Sequence, residues 1–277
     1  MSDRLYISDL DGTLLNSQGV LTTNSVEQLN EAISRGVNFT VATARTAATA
    51  LEILKNVNIS LPIILMNGVC VFDIQDKKYL QAHLIEKASL KTIFSTFKNN
   101  DLDGFVFSIE NDQLFTFYER VRTKNAEEFI KERVEKYKKK FTQVDDFSQC
   151  EEKNVVYVSV SNKAEVLDAA YNDLILDKNL NVEYYRDTYN EDFWYLEICS
   201  AKASKFNAVN FIKHKYDFKH VTSFGDNLND ISMFSASDES FAVENAKDEV
   251  KKSANSIIGK NTQDAVAVWI NKNGKVN

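Results

Sequence analysis

Residues 5–13 read Leu-Tyr-Ile-Ser-Asp-Leu-Asp-Gly-Thr, an apolar segment that runs directly into two carboxylates and a glycine. The pattern predicts a short buried strand over Leu5 to Ser8 and a turn at Asp11-Gly12. Ligands of α/β proteins bind beyond the C-terminal ends of strands, so Asp9 and Asp11 stand where an active site belongs. On an extended strand end both carboxylates are expected to face one side, and such hard oxygen ligands favour Mg²⁺. A solvated Asp-Gly turn explains the same residues about as well.

The segments that follow alternate between helix and strand patterns. In the N-terminal part we predict helices at 23–35 and 47–55 and strands at 38–42 and 62–65, with Gly36 ending the first helix. The C-terminal part repeats the alternation, with predicted strands at 221–224 and 239–243 and helices at 205–215, 228–234, 248–253 and 264–271. This pattern predicts an α/β fold with a Rossmann-like parallel sheet.

The middle of the chain has a different pattern. It predicts two strands within 103–119 joined at Asn111-Asp112, followed by a charged helix at 125–140, a buried strand at 155–160, a helix at 164–176 and an aromatic, strand-rich segment at 181–198. We therefore expect an α+β domain at 84–195, inserted into a discontinuous domain of residues 1–83 and 196–277.

The charge, apolar runs and cysteines of the chain argue against several classes of protein. The chain carries 33 Lys plus Arg and 40 Asp plus Glu, a net charge of −7, which disfavours non-specific binding to nucleic acid or to an anionic membrane. Its sequence contains no apolar run of membrane-spanning length and no signal-peptide pattern at its start. The three cysteines form no CxxC pair, so we expect buried, reduced thiols and a cytoplasmic protein.

A second group of polar residues follows the predicted strand at 221–224. Asp226, Asn229 and Asp230 lie between that strand and the next helix, where amides of a helix N-terminus favour anions. Simple helix capping needs only one of them. Two isolated residues are weaker candidates: a helix N-cap is the better interpretation of Thr43 after the second strand, and an exposed lysine is the usual interpretation of Lys205 at a helix start.

Together these residues resemble the four ordered motifs of the haloacid dehalogenase superfamily. The motifs are Asp9-x-Asp11-Gly12-Thr13, then Thr43 in Val41-Ala42-Thr43-Ala44-Arg45, then Lys205, and last Gly225-Asp226-x-x-Asn229-Asp230. The insert resembles the large C2B-type cap of the Cof-type subfamily, subclass IIB, as do Asn67-Gly68 and the segment 242–246. The resemblance covers essentially the whole chain and implies a core domain with an inserted α+β cap.

Three details depart from the family pattern or leave a choice within it. Ala44 stands where the family usually has glycine, and the added methyl is expected to narrow the space for a leaving group. Glu244 also replaces a frequent glycine. Both Lys202 and Lys205 are candidates for the third motif, and we choose Lys205 because it follows a serine and opens the predicted helix.

The resemblance implies a magnesium-dependent phosphatase that hydrolyses small phosphate monoesters, such as sugar phosphates, through an aspartyl phosphate. It assigns the nucleophile to Asp9, proton transfer to Asp11, and the metal to Asp9, Asp226 and the backbone carbonyl of Asp11. It assigns phosphate binding to Thr43, Lys205 and Asn229, with support from Asp230 and Arg45. The partner is then a small phosphorylated metabolite, with no nucleic acid and no membrane. Two alternatives stay open: a phosphomutase of the same superfamily and a non-catalytic phosphometabolite-binding protein.

Overall fold

The computed structural model describes residues 3–186 and 192–276, which form two units. One unit, called the core unit, lies within Met1–Gln81 and Ser204–Asn277, and the other, called the inserted unit, is Ala82–Ala203. The strands are, in chain order, β1 (Arg4–Ser8), β2 (Asn38–Val41), β3 (Ile63–Leu65), β4 (Cys70–Asp73), β5 (Lys78–Ala82), β6 (Phe105–Glu110), β7 (Gln113–Tyr118), β8 (Phe141–Gln143), β9 (Val155–Asn162), β10 (Leu180–Arg186), β11 (Trp194–Ser200), β12 (His220–Gly225), β13 (Glu239–Val243) and β14 (Ser256–Ile258). The α-helices are α1 (Thr23–Ser34), α2 (Ala47–Leu54), α3 (Lys87–Asn99), α4 (Lys124–Tyr137), α5 (Ala164–Leu174), α6 (Lys205–Lys215), α7 (Asp230–Ser235), α8 (Asp248–Ser253) and α9 (Ala265–Asn273).

The core unit contains a parallel sheet in the order β14-β13-β12-β1-β2. From β1 the chain moves outward to β2 on one side, and it later returns to fill β12, β13 and β14 on the other side. The C-terminal ends of β1 and β12 are therefore neighbours at the switch point of the sheet, where ligands of such folds bind. A single parallel bridge between Ala42 and Ile64 places β3 beside the end of β2.

Local sequence explains the elements that frame this sheet edge. β1 is buried on both faces, with Leu5 and Ile7 fully covered, as expected of a central parallel strand. Thr22 caps α1 by accepting a hydrogen bond from the Ser25 amide. Gly36, with a φ of +99°, follows the helix end, which confirms the predicted stop.

The inserted unit contains a mixed sheet in the order β10-β11-β9-β6-β7-β8. Asn111 and Asp112, both with left-handed backbones, form the turn between β6 and β7, as predicted. One face of this sheet packs with α3 and α5 around a hydrophobic cluster that includes Val158, Leu196 and Ile198. The fold is the predicted α/β core with an inserted α+β unit.

The structure differs from the expected domain boundaries. We expected the second boundary at 195–196, which falls inside β11. All of β11 pairs with β10, and most of it also pairs with β9, so the strand completes the sheet of the inserted unit and the boundary moves to Ala203 and Ser204. The first boundary moves from 83–84 to Gln81 and Ala82.

Sequence analysis did not predict β4, β5, α3, β8 or β14. The strands β8 and β14 have three residues each, which is too short for a readable alternation. α3 contains Ser89, Thr92, Ser95 and Thr96, whose side chains compete with helical hydrogen bonds and lower helix propensity.

Two expectations about the chain as a whole can be compared with the structure. All three cysteines are buried and free, as expected. Among the helices of residues 3–186 and 192–276, none has both the length and the apolarity that crossing a bilayer requires.

Candidate active site

Lys205 lies between two aspartates at the edge of the core sheet. Its Nζ is 2.6 Å from Asp9 Oδ1 and 2.6 Å from Asp230 Oδ1. The lysine side chain is 0% exposed, so its charge depends on these two carboxylates for compensation. The prediction of Lys205 rested on a helix-start position at which an exposed lysine was the ordinary reading, and the structure instead gives it full burial.

Asp9 and Asp226 extend from neighbouring strands. Asp9 follows β1, and its amide donates to the carbonyl of Phe224 in β12 (2.9 Å). Asp226 follows β12, and its Oδ1 accepts a hydrogen bond from Thr13 Oγ1 (2.5 Å). Adjacent parallel strands thus bring together two carboxylates that are far apart in sequence, at the switch point predicted for a ligand site.

Gly12 allows the turn after Asp9 to approach Asp226 closely. Its φ is +80°, and a Cβ at this position would lie 2.4 Å from Asp226 Oδ2. A side chain is therefore disfavoured here both by backbone conformation and by lack of space.

Asp230 organises the loop that carries Asp226. Its Oδ2 accepts hydrogen bonds from the amides of Asp226 (2.9 Å) and Asn227 (3.0 Å), while its Oδ1 binds Lys205. Both oxygens of this fully buried carboxylate are engaged by protein donors. Asp230 therefore has a structural task, because it holds the lysine and the loop in one arrangement.

The electrostatics of the site favour a bound cation. Burial raises the pKa of Asp9 well above its usual value, although Lys205 opposes the shift. Burial also raises the pKa of Asp226 to about 6, with the charges of Asp230 and Asp11 adding to the shift and the Thr13 hydrogen bond opposing it. When Asp9, Asp226 and Asp230 are all ionised, Lys205 compensates only one of the three charges.

The donor set fits a hard divalent cation. Asp9, Asp226 and Asp230 each offer a carboxylate oxygen, and these atoms lie within 4.8 Å of one another. Because protein donors already engage both oxygens of Asp230, Asp9 and Asp226 are the better ligands. In the described part of the chain this cluster includes neither histidine nor cysteine, and a set made of oxygens suits Mg²⁺.

The carboxylate of Asp11 does not join this cluster, contrary to the expectation that Asp9 and Asp11 face one side. β1 ends at Ser8, and Asp11 lies in the following turn, so strand alternation does not extend to it. Arg45 instead binds the Asp11 carboxylate through two hydrogen bonds, Nε to Oδ2 at 2.8 Å and Nη2 to Oδ1 at 2.6 Å. The Asp11 side chain is 49% exposed.

Thr43 lies at the same sheet edge, beyond β2. The neighbouring Ala42 amide donates to the carbonyl of Ser8 (2.9 Å), which places the end of β2 beside Asp9 in the sheet. The Thr43 side chain is buried, and its Oγ1 accepts from the Arg45 amide (3.1 Å), so its hydroxyl proton is available to a ligand. Its own amide already donates to the carbonyl of Ile64 and is not available.

Asn229 makes a side-chain contact that sequence analysis did not predict. Its Nδ2 donates to Oδ1 of Asn67 (2.9 Å), which follows β3. No donor among the described residues reaches the buried Oδ1 of Asn229. Asn67 itself had entered the analysis only through the family resemblance.

Asn245 is another residue whose contact was missed. Its Nδ2 donates to the carbonyl of Gly12 (2.7 Å), and its Oδ1 accepts from the amide of Asn261 (3.0 Å). Asn245 thus holds the turn after β1 in place from the far end of the chain. No local pattern reveals such a long-range bond, and the family-like segment 242–246 was the one available signal.

The family model of the haloacid dehalogenase-like hydrolases matches residues 6–270. The chain belongs to this family. Pyridoxal phosphate phosphatase YbhA of Escherichia coli is 24% identical over 98% of this chain and 98% of its own length. The structure of TM0651 from Thermotoga maritima has 22% identity and a TM-score of 0.80, with 99% of this chain and 98% of that chain covered.

The subclass IIB sugar phosphatase BT4131, at 18% identity, covers 97% of this chain and 98% of its own with a TM-score of 0.72. The predicted family, the predicted core with a cap and the predicted enzyme class, a phosphoric monoester hydrolase, are therefore confirmed.

The departures from the haloacid dehalogenase pattern have simple structural explanations. Ala44 is exposed and has no left-handed backbone, so alanine is not strained at this turn. Glu244 is exposed and lies 3.8 Å from Lys260. Of the two lysine candidates, Lys202 is 74% exposed and pairs with Glu86 in the inserted unit, whereas Lys205 lies within the carboxylate cluster.

Proposed function

We propose that this haloacid dehalogenase-like hydrolase is a magnesium-dependent phosphatase that hydrolyses small phosphate monoesters through a phosphorylated Asp9. The observation that carries the proposal is the buried Lys205, held between Asp9 and Asp230 with Asp226 beside them. Several charges buried this close together lower the stability of a protein, so they indicate a site that binds a charged ligand.

In the first step, Asp9 acts as the nucleophile. Lys205 binds Asp9 Oδ1, which leaves Oδ2 to attack phosphorus. A bond forms between Oδ2 and phosphorus, the bond from phosphorus to the ester oxygen breaks, and the leaving oxygen takes a proton from Asp11. Lys205 and the hydroxyl of Thr43 bind phosphoryl oxygens, where charge accumulates in the transition state.

In the second step, water attacks the phosphorus of the aspartyl phosphate. Asp11 accepts the proton of that water, the bond between Asp9 and phosphorus breaks, and inorganic phosphate leaves. This role requires Asp11 to exchange its ion pair with Arg45 for contact with the leaving oxygen or the water. Because the Asp11 carboxylate is half-exposed, opening that pair costs little.

Mg²⁺ would be held by Asp9, Asp226 and the backbone carbonyl of Asp11. When bound, it compensates the negative charges of the carboxylates and of the phosphoryl group. Asp230 contributes indirectly, because its hydrogen bonds to the Asp226 and Asn227 amides fix the loop from which Asp226 projects.

The substrate class proposed is a small phosphorylated metabolite, such as a sugar phosphate. Curated relatives act on small phosphate esters, as the name pyridoxal phosphate phosphatase states for one of them. A phosphomutase would use the same aspartyl phosphate and return the phosphoryl group to a sugar. Release of inorganic phosphate to water, measured against isomerisation of a sugar phosphate, separates the two activities.

The test is a phosphate-release assay over a panel of esters, run with protein treated with EDTA and then supplied with Mg²⁺. We expect activity to disappear with EDTA and return with Mg²⁺, and Asp9→Asn to lower kcat by on the order of 10³ or more with its fold intact. Asp173→Asn, at an exposed position of α5, is the matched control. Substantial activity in the metal-free protein or in folded Asp9→Asn would falsify the proposal.

A further inference from the structure

Three consecutive residues after β3 have left-handed backbones. Met66, Asn67 and Gly68 have φ values of 50°, 55° and 94°. Glycine tolerates this conformation and asparagine does so moderately, but methionine does not favour it. Consecutive strained residues persist only where surrounding contacts impose them, so the contacts of this turn, called the 66–68 turn, identify what it serves.

Backbone bonds of the 66–68 turn hold the loop after β2. The amide of Asn67 donates to the carbonyl of Thr43 (3.0 Å), and the amide of Met66 donates to the carbonyl of Arg45 (3.1 Å). These are the residues that bring the Thr43 hydroxyl and the Arg45 guanidinium to the candidate active site. The turn therefore sets the position of the second motif.

The same turn packs against the start of α6. A Cβ on Gly68 would lie 2.1 Å from the carbonyl oxygen of Ser204 and 2.8 Å from the amide nitrogen of Lys205. Only a glycine in this conformation lets the turn approach the backbone that carries the buried lysine. The third motif is thus in direct contact with the turn as well.

The 66–68 turn also contacts the fourth motif, through the side chain of Asn67. Its Oδ1 accepts the hydrogen bond from Asn229 Nδ2 at 2.9 Å. Among the described residues this is the one hydrogen bond of the Asn229 side-chain amide, since no donor reaches its Oδ1. Without Asn67, that amide has nothing to fix its rotamer.

We propose that Asn67 is a positioning residue for the phosphoryl site. Its side-chain Oδ1 fixes the side-chain amide of Asn229, so that this amide presents its remaining hydrogen to a phosphoryl oxygen. Its left-handed backbone holds the Thr43 loop. The inference rests on the proposed phosphatase function. It goes further by adding a residue that lies outside the four motifs.

Asn67→Gly separates the two contributions of this residue. Glycine keeps the left-handed backbone and therefore the two backbone hydrogen bonds from the amides of residues 66 and 67 to the carbonyls of Arg45 and Thr43. It removes only the side-chain acceptor. With p-nitrophenyl phosphate as substrate, we expect KM to rise roughly three- to tenfold, the size of one lost hydrogen bond. The inhibition constant of inorganic phosphate should rise by the same factor, whereas kcat should change less than about threefold.

Two further variants decide whether the effect runs through Asn229. Asn229→Ala removes the donor of the same bond, so the double variant should be no worse than the worse single variant. Asn111→Gly is the matched control, because Asn111 is an exposed, left-handed asparagine in the turn between β6 and β7. Its KM and kcat should equal those of the wild type.

The outcomes are distinguishable. Unchanged KM in Asn67→Gly, or losses that multiply in the double variant, would overturn the positioning role. A lowered melting temperature of Asn67→Gly with an unchanged KM would also overturn this role, since Asn67 would then contribute only to stability. Should Asn67→Gly fail to fold, Asn67→Ser shortens the side chain and takes its place. A wild type that releases no phosphate from any ester would instead overturn the proposed function, and with it this inference.

Discussion

Lys205 shows how one residue can depend on the whole core unit. Its ammonium group binds Asp9 after β1 and Asp230 at the start of α7, and both bonds are 2.6 Å long. Breaking a buried ion pair by removing one partner costs about 3–5 kcal/mol, because the other charge stays buried. Removing any one of these three side chains is therefore expected to destabilise the core unit.

The pKa of Asp226 gives a prediction about stability and pH. Burial raises this pKa from 3.8 to about 6, so the folded state binds the proton more tightly than the unfolded state. The ionised carboxylate then destabilises the metal-free protein above pH ~6, and the penalty is lost as the pH falls toward 4. We expect Asp226→Asn to be more stable than the wild type by on the order of 1–3 kcal/mol at pH ~7.5, and the gain to shrink toward pH ~4.

Denaturant unfolding in EDTA at a series of pH values measures this difference. Asp173→Asn is the control for the loss of one exposed carboxylate from α5. A gain for Asp226→Asn that stays constant from pH ~4 to pH ~7.5 would contradict the explanation, since a titrating group has to give a pH-dependent term.

At the scale of elements, the sequence predicts four of the five strands of the core sheet, all but β14, and it predicts the contacts of the site turns poorly. β1 and β12 are short apolar runs followed by aspartates, and local pattern is enough to place Asp9 and Asp226 at strand ends. The pairing of Asp11 with Arg45 was not predicted, because it joins turns that are 34 residues apart. The same holds for Asn67 with Asn229 and for Asn245 with Gly12, whose partners are brought together by the fold and not by sequence spacing.

The turn after β1 gives the prediction at this scale. In Gly12→Ala the new methyl would lie 2.4 Å from Asp226 Oδ2, so Asp226 or the turn has to move. Displacing a carboxylate of the site by about 1 Å should lower kcat/KM by tenfold or more. Gly19→Ala is the matched control, because Gly19 also has a left-handed φ of +68° but its nearest neighbour would be Arg45 Nη2 at 3.8 Å.

Gly19→Ala carries the backbone strain without the collision. We expect it to lose about 1 kcal/mol of stability and to keep kcat/KM within about twofold of the wild type. Equal losses of activity in the two variants would show that backbone strain, and not contact with Asp226, explains the glycine at position 12.

At the scale of the whole molecule, the core unit and the inserted unit have different tasks in the proposed reaction. The carboxylates, the lysine and the threonine of the candidate site all belong to the core unit. In the proposed reaction these groups bind only the phosphoryl group and the metal. We therefore expect the inserted unit to select the leaving group. Among the aromatic residues of the inserted unit, Phe117 belongs to its hydrophobic cluster and Tyr184 and Trp194 pack against that cluster, so these three are core residues.

Candidates for contact with the leaving group lie on the opposite face of the six-stranded sheet of the inserted unit. Glu197 alternates with the buried Leu196 and Ile198, so it projects from the other face. Burial raises its pKa, and hydrogen bonds from Tyr157 and Tyr185 oppose the shift. We expect Glu197→Gln and Tyr157→Phe to redistribute kcat/KM among phosphate esters with the same Mg²⁺ requirement as the wild type.

A panel of phosphate esters measures this effect. Lys205→Met, in the core unit, should lower activity on every ester together, and Asp173→Asn, in α5 of the inserted unit, should change none. If Glu197→Gln and Tyr157→Phe lower kcat/KM for every ester by one common factor, this face of the sheet does not select the leaving group.

The central claim is that Asp9 becomes phosphorylated, and trapping the phosphoenzyme tests it most directly. The wild type is mixed with Mg²⁺ and a reactive ester, quenched in acid within one turnover, digested and analysed by mass spectrometry. We predict a phosphoryl group on the peptide that contains Asp9 and none on that peptide in Asp9→Asn. Phosphate release by the wild type with no phosphorylated peptide at any quench time, or with the group on a different residue, would contradict the account.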